Sequence, residues 1–193
     1  MKTGAVVAKL EGHAAPCAGV FSLGGKQVLS WAEDGQIRLW DVGTANRLQS
    51  FDGRPGAERQ AWHLEGGHQV LTWGKDHVFR VWDAETGGIL REITVVDMVP
   101  PGWSEAAVSP DGRRLLVVCS DSGDVRLVDV DSGDEWYRSE KGKLPSARGF
   151  SFSPDGRHVA AGSFRRGVYL LEFPVPAGQG ALQAPSQPAE NKP

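Results

Sequence analysis

Apolar and polar residues alternate along most of this chain in runs of five or six residues, and each run ends in a cluster of glycine, aspartate, serine or proline. Period-two alternation between turn signals predicts short antiparallel strands. The run Val28 to Ala32 is followed by a Gly/Asp turn, then by Gln36 to Trp40, then by a more polar run, Arg47 to Phe51. Ile89 to Val95 is the corresponding polar run further on. Its polarity suits an outer edge, where charges discourage sheet-to-sheet pairing.

The pattern repeats. Gln27-Val-Leu-Ser-Trp-Ala-Glu-Asp-Gly-Gln-Ile-Arg-Leu-Trp-Asp41 recurs as Gln69-Val-Leu-Thr-Trp-Gly-Lys-Asp-His-Val-Phe-Arg-Val-Trp-Asp83. A third copy spans Arg114 to Asp129 with one extra residue in its turn, and a fourth spans His158 to Glu172. The closing acids Asp41, Asp83, Asp129 and Glu172 are 42, 46 and 43 residues apart, a period that fits one blade of a propeller. Before each copy lies a tight turn: Ser109-Pro-Asp-Gly112 and Ser153-Pro-Asp-Gly156 in copies three and four, Gly24-Gly25 and Gly66-Gly67 in copies one and two. Proline second and glycine fourth suit a type I turn followed by a left-handed residue. Four strands per unit, sixteen in all, are therefore expected.

Gly12-His13, Trp40-Asp41 and Trp82-Asp83, set in four copies in register, resemble the WD-repeat β-propeller family over residues 4 to 173. The resemblance implies an all-β propeller of four four-stranded antiparallel blades, either four-bladed or half of a larger ring closed by association. It also implies a buried network of His13, Ser30, Asp34 and Trp40 in repeat one. Repeat two keeps Thr72, Asp76 and Trp82; repeat three keeps at most Ser120 and Asp121, with Val128 in place of the tryptophan; repeat four keeps none. Later blades are thus expected to rest mainly on apolar contacts. The last repeat runs from Phe173 into Pro174-Val-Pro176, which cannot supply a fourth strand. The segment Ala5 to Leu10 is a strand without a repeat of its own, and is expected to complete the last blade. The propeller would then span residues 1–176, and the Pro/Ala/Gln stretch 177–193 would be a disordered tail. Blades shaped for larger rings close poorly in fours. The alternatives are a four-bladed monomer, two chains forming an eight-bladed ring, or part of something longer.

Composition narrows the function. A net charge of −3 with interspersed signs gives no field for nucleic acid or an anionic membrane, and no apolar stretch approaches the ~20 residues needed to cross a bilayer. No secretory signal is visible, so a cytoplasmic setting is expected. Two cysteines, Cys17 and Cys119, are too few for a disulfide framework or a zinc site and read as buried thiols. Neither a Gly-x-Ser-x-Gly elbow, a phosphate-binding loop nor a paired metal-ligand motif is present. The His13, Ser30 and Asp34 set could be mistaken for a hydrolase triad, but the family pattern explains it as structure. No cofactor is expected.

His63 fills the slot held by Phe21, Val108 and Phe152 in the other repeats, and reads as a core histidine near the central channel. Trp31 and Trp73 follow the network hydroxyl and read as packing. Trp103 stands apart, in the longest inter-blade connection beside Pro100 and Pro101. Loops between blades and between second and third strands share one face. That face collects Arg54, Arg59, Lys75, His77, Trp103, Arg165 and Arg166. A non-catalytic interaction scaffold follows, docking a peptide or protein on this face with Trp103 as apolar anchor and Arg165 and Arg166 as charge complement. A self-associating structural unit, as a homodimer, is the alternative; a propeller enzyme is the least supported.

Overall fold

The computed structural model describes residues 4–22, 24–53, 58–95, 104–119, 123–139, 147–163 and 167–173. The chain divides into two compact units, Met1–Pro101 and Gly102–Pro193. The first holds β1 (Cys17–Phe21), β2 (Gln27–Ala32), β3 (Gln36–Asp41), β4 (Arg47–Asp52), β5 (Glu58–His63), β6 (Gln69–Gly74), β7 (Val78–Asp83) and β8 (Ile89–Thr94). The second holds β9 (Ser104–Val108), β10 (Arg114–Cys119), β11 (Val125–Asp129), β12 (Glu135–Arg138), β13 (Ala147–Phe152), β14 (His158–Ser163) and β15 (Gly167–Glu172). Every sheet is an antiparallel meander in chain order: β1 to β4, β5 to β8, β9 to β12, and β13 to β15. These are propeller blades, two in each unit, and the fold is all-β.

The first turn of each blade explains why three different turn sequences give one geometry. The strands close on pairs five residues apart: Ser22 N to Gln27 O, Leu64 N to Gln69 O, Ser109 N to Arg114 O and Ser153 N to His158 O, all 2.8 to 3.0 Å. Inside each turn the fourth residue, Gly25, Gly67, Gly112 or Gly156, donates its N–H to the first residue's carbonyl, with φ between 65° and 72°. Only glycine enters that left-handed region without cost, so Gly-Gly and Ser-Pro-Asp-Gly are interchangeable here.

The closing acids pin the turn between third and fourth strands. Asp41 accepts the N–H and the hydroxyl of Thr44, both at 2.8 Å. Asp83 does the same for Thr86 at 2.7 and 2.9 Å, and Asp129 accepts the N–H groups of Asp131 and Ser132 at 2.7 Å. These bonds hold the carboxyl groups of Asp41 and Asp83 below the usual aspartate range. The side chain that names the repeat is thus a turn cap.

In the first unit the two blades share a core of Leu29, Ile37, Phe51, Ala61, Val70 and Trp82, with Phe51 edge-on to Trp82 at 5.9 Å. In the second, Leu116, Val118 and Leu127 meet Val159, Ala161 and Phe173, and Tyr137 is edge-on to Phe173 at 5.4 Å. Arg114 joins its two blades differently: Nη1 donates to the carbonyl of Gly156 at 2.9 Å, while the guanidinium lies 5.9 Å over the Phe152 ring.

Three expectations need correction. Residues 5–10 form no strand, and Val6 and Val7 are 90% and 96% exposed. Among the described residues the last sheet has three strands, and fifteen strands in all are described. An extended segment is a strand only when hydrogen-bonded to a partner strand, and residues 5–10 pair with none of the described ones. Cys17 is exposed and not buried, because it lies on β1, all five residues of which are exposed. The expected tail, 177–193, lies outside the described residues.

Gly156 generates a prediction. A Cβ there would sit 2.4 Å from Arg114 Nη2 at φ +67°, whereas at Gly25, φ +65°, nothing lies within 4 Å. In urea denaturation Gly25→Ala should cost about 1 kcal/mol, the conformational penalty alone, and Gly156→Ala about 2 to 3 kcal/mol. Equal losses would show that the Arg114 contact contributes nothing.

Candidate functional site

Ser30 on β2 and Trp40 on β3 are cross-strand neighbours one step off register, since Val28 faces Trp40 and Ser30 faces Arg38. The indole Nε1–H of Trp40 donates to Ser30 Oγ at 2.8 Å. His13 closes the chain, with Nε2 2.7 Å from Ser30 Oγ and Nδ1 3.3 Å from Asp34. A carboxylate only accepts, so Nδ1 carries the proton that is shared with Asp34, and Nε2 is the ring nitrogen in hydrogen-bond contact with the Ser30 hydroxyl. Asp34 also accepts the N–H groups of Ala14 and Gln36, both at 2.9 Å. Burial works against its charge, but these donors and His13 outweigh it, and its pKa is lowered. The network therefore fixes two loops at once: the segment before β1 and the turn between β2 and β3.

The arrangement is explained as structure: Ser30 is 7% exposed and its oxygen already accepts the indole proton of Trp40. Among the described residues no group of three His, Cys, Asp or Glu is placed to hold a metal ion.

Repeat two keeps the shorter half of the network: Trp82 Nε1 donates to Thr72 Oγ1 at 2.9 Å. With no histidine to take it, Asp76 turns to Arg80, whose Nη2 lies 2.6 Å away, while Arg80 Nε donates to Glu92 at 2.8 Å. Burial opposes the charge on Arg80, yet the two carboxylates prevail and its pKa is raised. In repeat three Val128 takes the tryptophan's place, Ser120 and Asp121 lie outside the described residues, and Arg126 pairs with Asp124 at 3.1 Å and Glu135 at 3.8 Å. That blade is held by a buried ion pair as well as apolar contacts, which differs from the expectation above.

Arg38, Arg80 and Arg126 form a recurring feature that the sequence reading passed over. All three are buried, at 8%, 3% and 3% exposure. The signal was present: each is the same residue of its third strand, in Ile37-Arg38, Phe79-Arg80 and Val125-Arg126. Repeat one departs from the others, for Arg38 faces Ser50 where Arg80 faces Glu92. Asp34 is engaged elsewhere, and Arg38 Nε and Nη1 are buried with no hydrogen-bond partner among the described residues. Gly12 lies directly over this guanidinium, where a Cβ would come within 2.9 Å of Nη1.

Of the expected docking residues, Trp103, Arg54, Arg165 and Arg166 lie outside the described residues, as does the side chain of Arg59. Lys75 is exposed, and it shares one turn with His77 between β6 and β7. His77 has φ +61° and occupies the place of Gly35, φ +79°, in repeat one. Its N–H donates to the Gly74 carbonyl at 3.2 Å, and Asp76 ties the turn to Val78 N at 3.3 Å and to Arg80. Trp73 stacks on Phe79 at 5.5 Å and Trp31 packs against the first unit's core. Trp136, without a role in the sequence reading, packs on the core of the second, and Trp62 is half-buried on β5. His63 pairs with Val70 as Phe21 does with Val28 and Phe152 with Val159, so the shared slot is real. Both of its ring nitrogens are buried without a partner, and burial lowers its pKa.

Comparison with known proteins places these features. Residues 4–41 match the family described as WD domain, G-beta repeat. The crystal structure of the computationally designed Ika4 protein is similar in fold, with a TM-score of 0.68, 21% identity, and coverage of 89% of this chain and all of that one. No curated protein sequence matches.

Two predictions follow from the buried charges. Ser50→Glu gives Arg38 the partner that Arg80 has, and should raise stability by about 1 kcal/mol in chemical denaturation; a loss would mean that Arg38 is neutralised in another way. His63 protonates less readily folded than unfolded, so its contribution is full above its ordinary value near 6.5 and is lost as pH falls below it. The melting temperature should therefore drop from pH 7 to pH 5 by a few degrees more, roughly, in the wild type than in His63→Phe. Parallel pH profiles would remove His63 as the cause.

Proposed function

We propose that this chain, whose sheets are β-propeller blades and whose residues 4–41 match the family described as WD domain, G-beta repeat, is a non-catalytic scaffold that docks a peptide or protein on the face carrying its inter-blade loops and its turns between second and third strands. That match supports the scaffold class, since WD-type propellers generally mediate protein interactions. No helix among the described residues is long and apolar enough to cross a membrane, and a cytoplasmic setting is part of the same reading.

The observation that carries the placement is His77. A non-glycine residue in the left-handed region costs about 1 kcal/mol, and the equivalent turn of repeat one uses glycine at that point. A strained residue on a turn tied down by Asp76 is what a recognition loop requires: the side chain is presented in one position, so binding spends little on ordering it. Lys75 beside it supplies charge. Trp103, Arg165 and Arg166 extend the same face in this proposal, with the indole as apolar centre and the arginines as complement to an acidic segment.

The test uses peptides selected by phage display against the immobilised full chain. His77→Gly should raise the melting temperature and weaken the selected peptides about tenfold, opposite effects that separate recognition from folding. Trp103→Ala and the Arg165→Ala, Arg166→Ala pair should each weaken binding by a similar factor at unchanged melting temperature. Affinities that survive all three changes would remove this face as the docking site.

A further inference from the structure

Arg80 and Arg126 illustrate what a buried arginine on a third strand requires. Arg80 Nε donates to Glu92 on β8 at 2.8 Å, and Nη2 donates to Asp76 at 2.6 Å. Arg126 pairs with Asp124 at 3.1 Å and with Glu135 on β12 at 3.8 Å. In each blade one of the two carboxylates comes from the fourth strand. A charged group is costly to bury unless such partners meet it.

Repeat one has the cation and lacks the fourth-strand acid. The register sets Arg38 opposite Ser50 on β4, where Arg80 faces Glu92 on β8. Arg38 is 8% exposed. Its Nε, the atom that meets a carboxylate in repeat two, is buried without a hydrogen bond among the described residues. Two acids of the same blade serve other donors: Asp34 accepts from Ala14, Gln36 and His13, and Asp52 accepts from Gln36 Nε2 at 3.1 Å.

The place a carboxylate takes beside such an arginine is open to solvent. The Glu92 and Glu135 side chains are 51% and 30% exposed although the arginines they meet are buried, and Ser50 is itself only half-buried. Gly12 crowds Nη1, where even a Cβ would come within 2.9 Å. Nε, on the residue that faces Ser50, is then the donor left for a group arriving from outside.

We propose that repeat one binds a carboxylate supplied from outside the chain, held between the Nε–H of Arg38 and the hydroxyl of Ser50. The ligand is a single carboxylate group, carried either by a glutamate or aspartate side chain of a peptide or by a free small carboxylic acid. A guanidinium is planar and its hydrogen bonds are charge-assisted, so it matches a planar carboxylate better than a spherical halide. The site is built by β3 and β4 and uses none of the residues of the docking proposal, so either reading can fail alone.

The test follows the Arg38 Nε–H resonance by NMR, identified by its loss in Arg38→Lys, while sodium acetate replaces sodium chloride at constant ionic strength and at pH 7, where acetate is ionised. The resonance should move in a saturable way, with a dissociation constant of about 10 mM. The melting temperature in about 100 mM acetate should exceed that in equal chloride by about 3 to 5 °C. Ser50→Glu should shift the same resonance in chloride alone and abolish the acetate response in both measurements. End-blocked Gly-Glu-Gly and Gly-Gln-Gly peptides separate the sources. Tighter binding of the glutamate peptide than of acetate identifies a peptide side chain, tighter binding of acetate identifies a free acid, and both support the site. A resonance that neither acetate nor the glutamate peptide moves overturns the proposal. An acetate response that persists in Ser50→Glu overturns it too, because the anion then sits elsewhere.

Discussion

The bond between an indole N–H and a neighbouring strand's hydroxyl is the constraint on which the first unit depends. Trp40 and Trp82 are among the largest buried side chains of their blades, each 3% exposed, and each carries one indole proton that must be satisfied away from water. Burying that donor unpaired costs about 1 to 3 kcal/mol, comparable to the gain from burying much of the ring. Ser30 and Thr72 remove the penalty from the adjacent strand, with no loop or water required. Trp82 can then reach across to Phe51 and merge two blades into one core. In repeat three Val128 fills the tryptophan's place, and the register puts Val117, not Ser120, opposite Arg126 in the slot that Ser30 and Thr72 hold opposite Arg38 and Arg80. There the donor and its acceptor are both replaced by apolar residues, as expected of a buried polar group and its partner.

The arginines show the same logic applied to charge. A guanidinium buried on a third strand is tolerable when carboxylates flank it, and both Arg80 and Arg126 have two. In repeat one the histidine of the N-terminal segment has drawn Asp34 away from Arg38. The blade gains a fixed N-terminal loop, and Arg38 Nε and Nη1 are left without a hydrogen bond among the described residues. Asp34 spends its oxygens on Ala14, Gln36 and His13, where Asp76 in repeat two reaches Arg80. The most faithful copy of the repeat is therefore also the one whose buried arginine has the fewest described partners, so fidelity to the pattern and local stability are separate quantities.

Most of the fold was legible because it is written in turns. Glycine at the fourth turn position and an acid at the end of the third strand are local requirements, readable from residues within five of each other, and they fix strand number, order and register. The His13, Ser30, Asp34 and Trp40 network was legible for the same reason, being a pattern of fixed offsets. Arg38, Arg80 and Arg126 were not. A polar residue at an alternate strand position reads as solvent-facing, and only the neighbouring blade and the fourth strand make it buried. Cys17 failed in the opposite direction: an apolar-looking residue on the first strand of its blade reads as core, yet every residue of β1 is exposed. The six residues from Ala5 to Leu10 have strand composition, yet a strand exists only against a partner, and composition does not name one.

Turns that fix register locally leave the blade faces free to change. Gly24-Gly25 and Ser153-Pro-Asp-Gly156 give one geometry from unrelated side chains, so substitutions between them were never constrained by folding. The same holds for the slot shared by Phe21, His63, Val108 and Phe152. A slip of one residue would send every side chain of a strand to the wrong face, and the turns prevent it whatever occupies that slot. An ionisable histidine can then sit at a core position for the cost of its own burial, without endangering the strand that holds it. Burial of His63, strain at His77 and the unsatisfied Nε and Nη1 of Arg38 among the described residues are each confined to one repeat for this reason: the turns specify each blade nearly independently, and a liability in one is not transmitted to the register of the next.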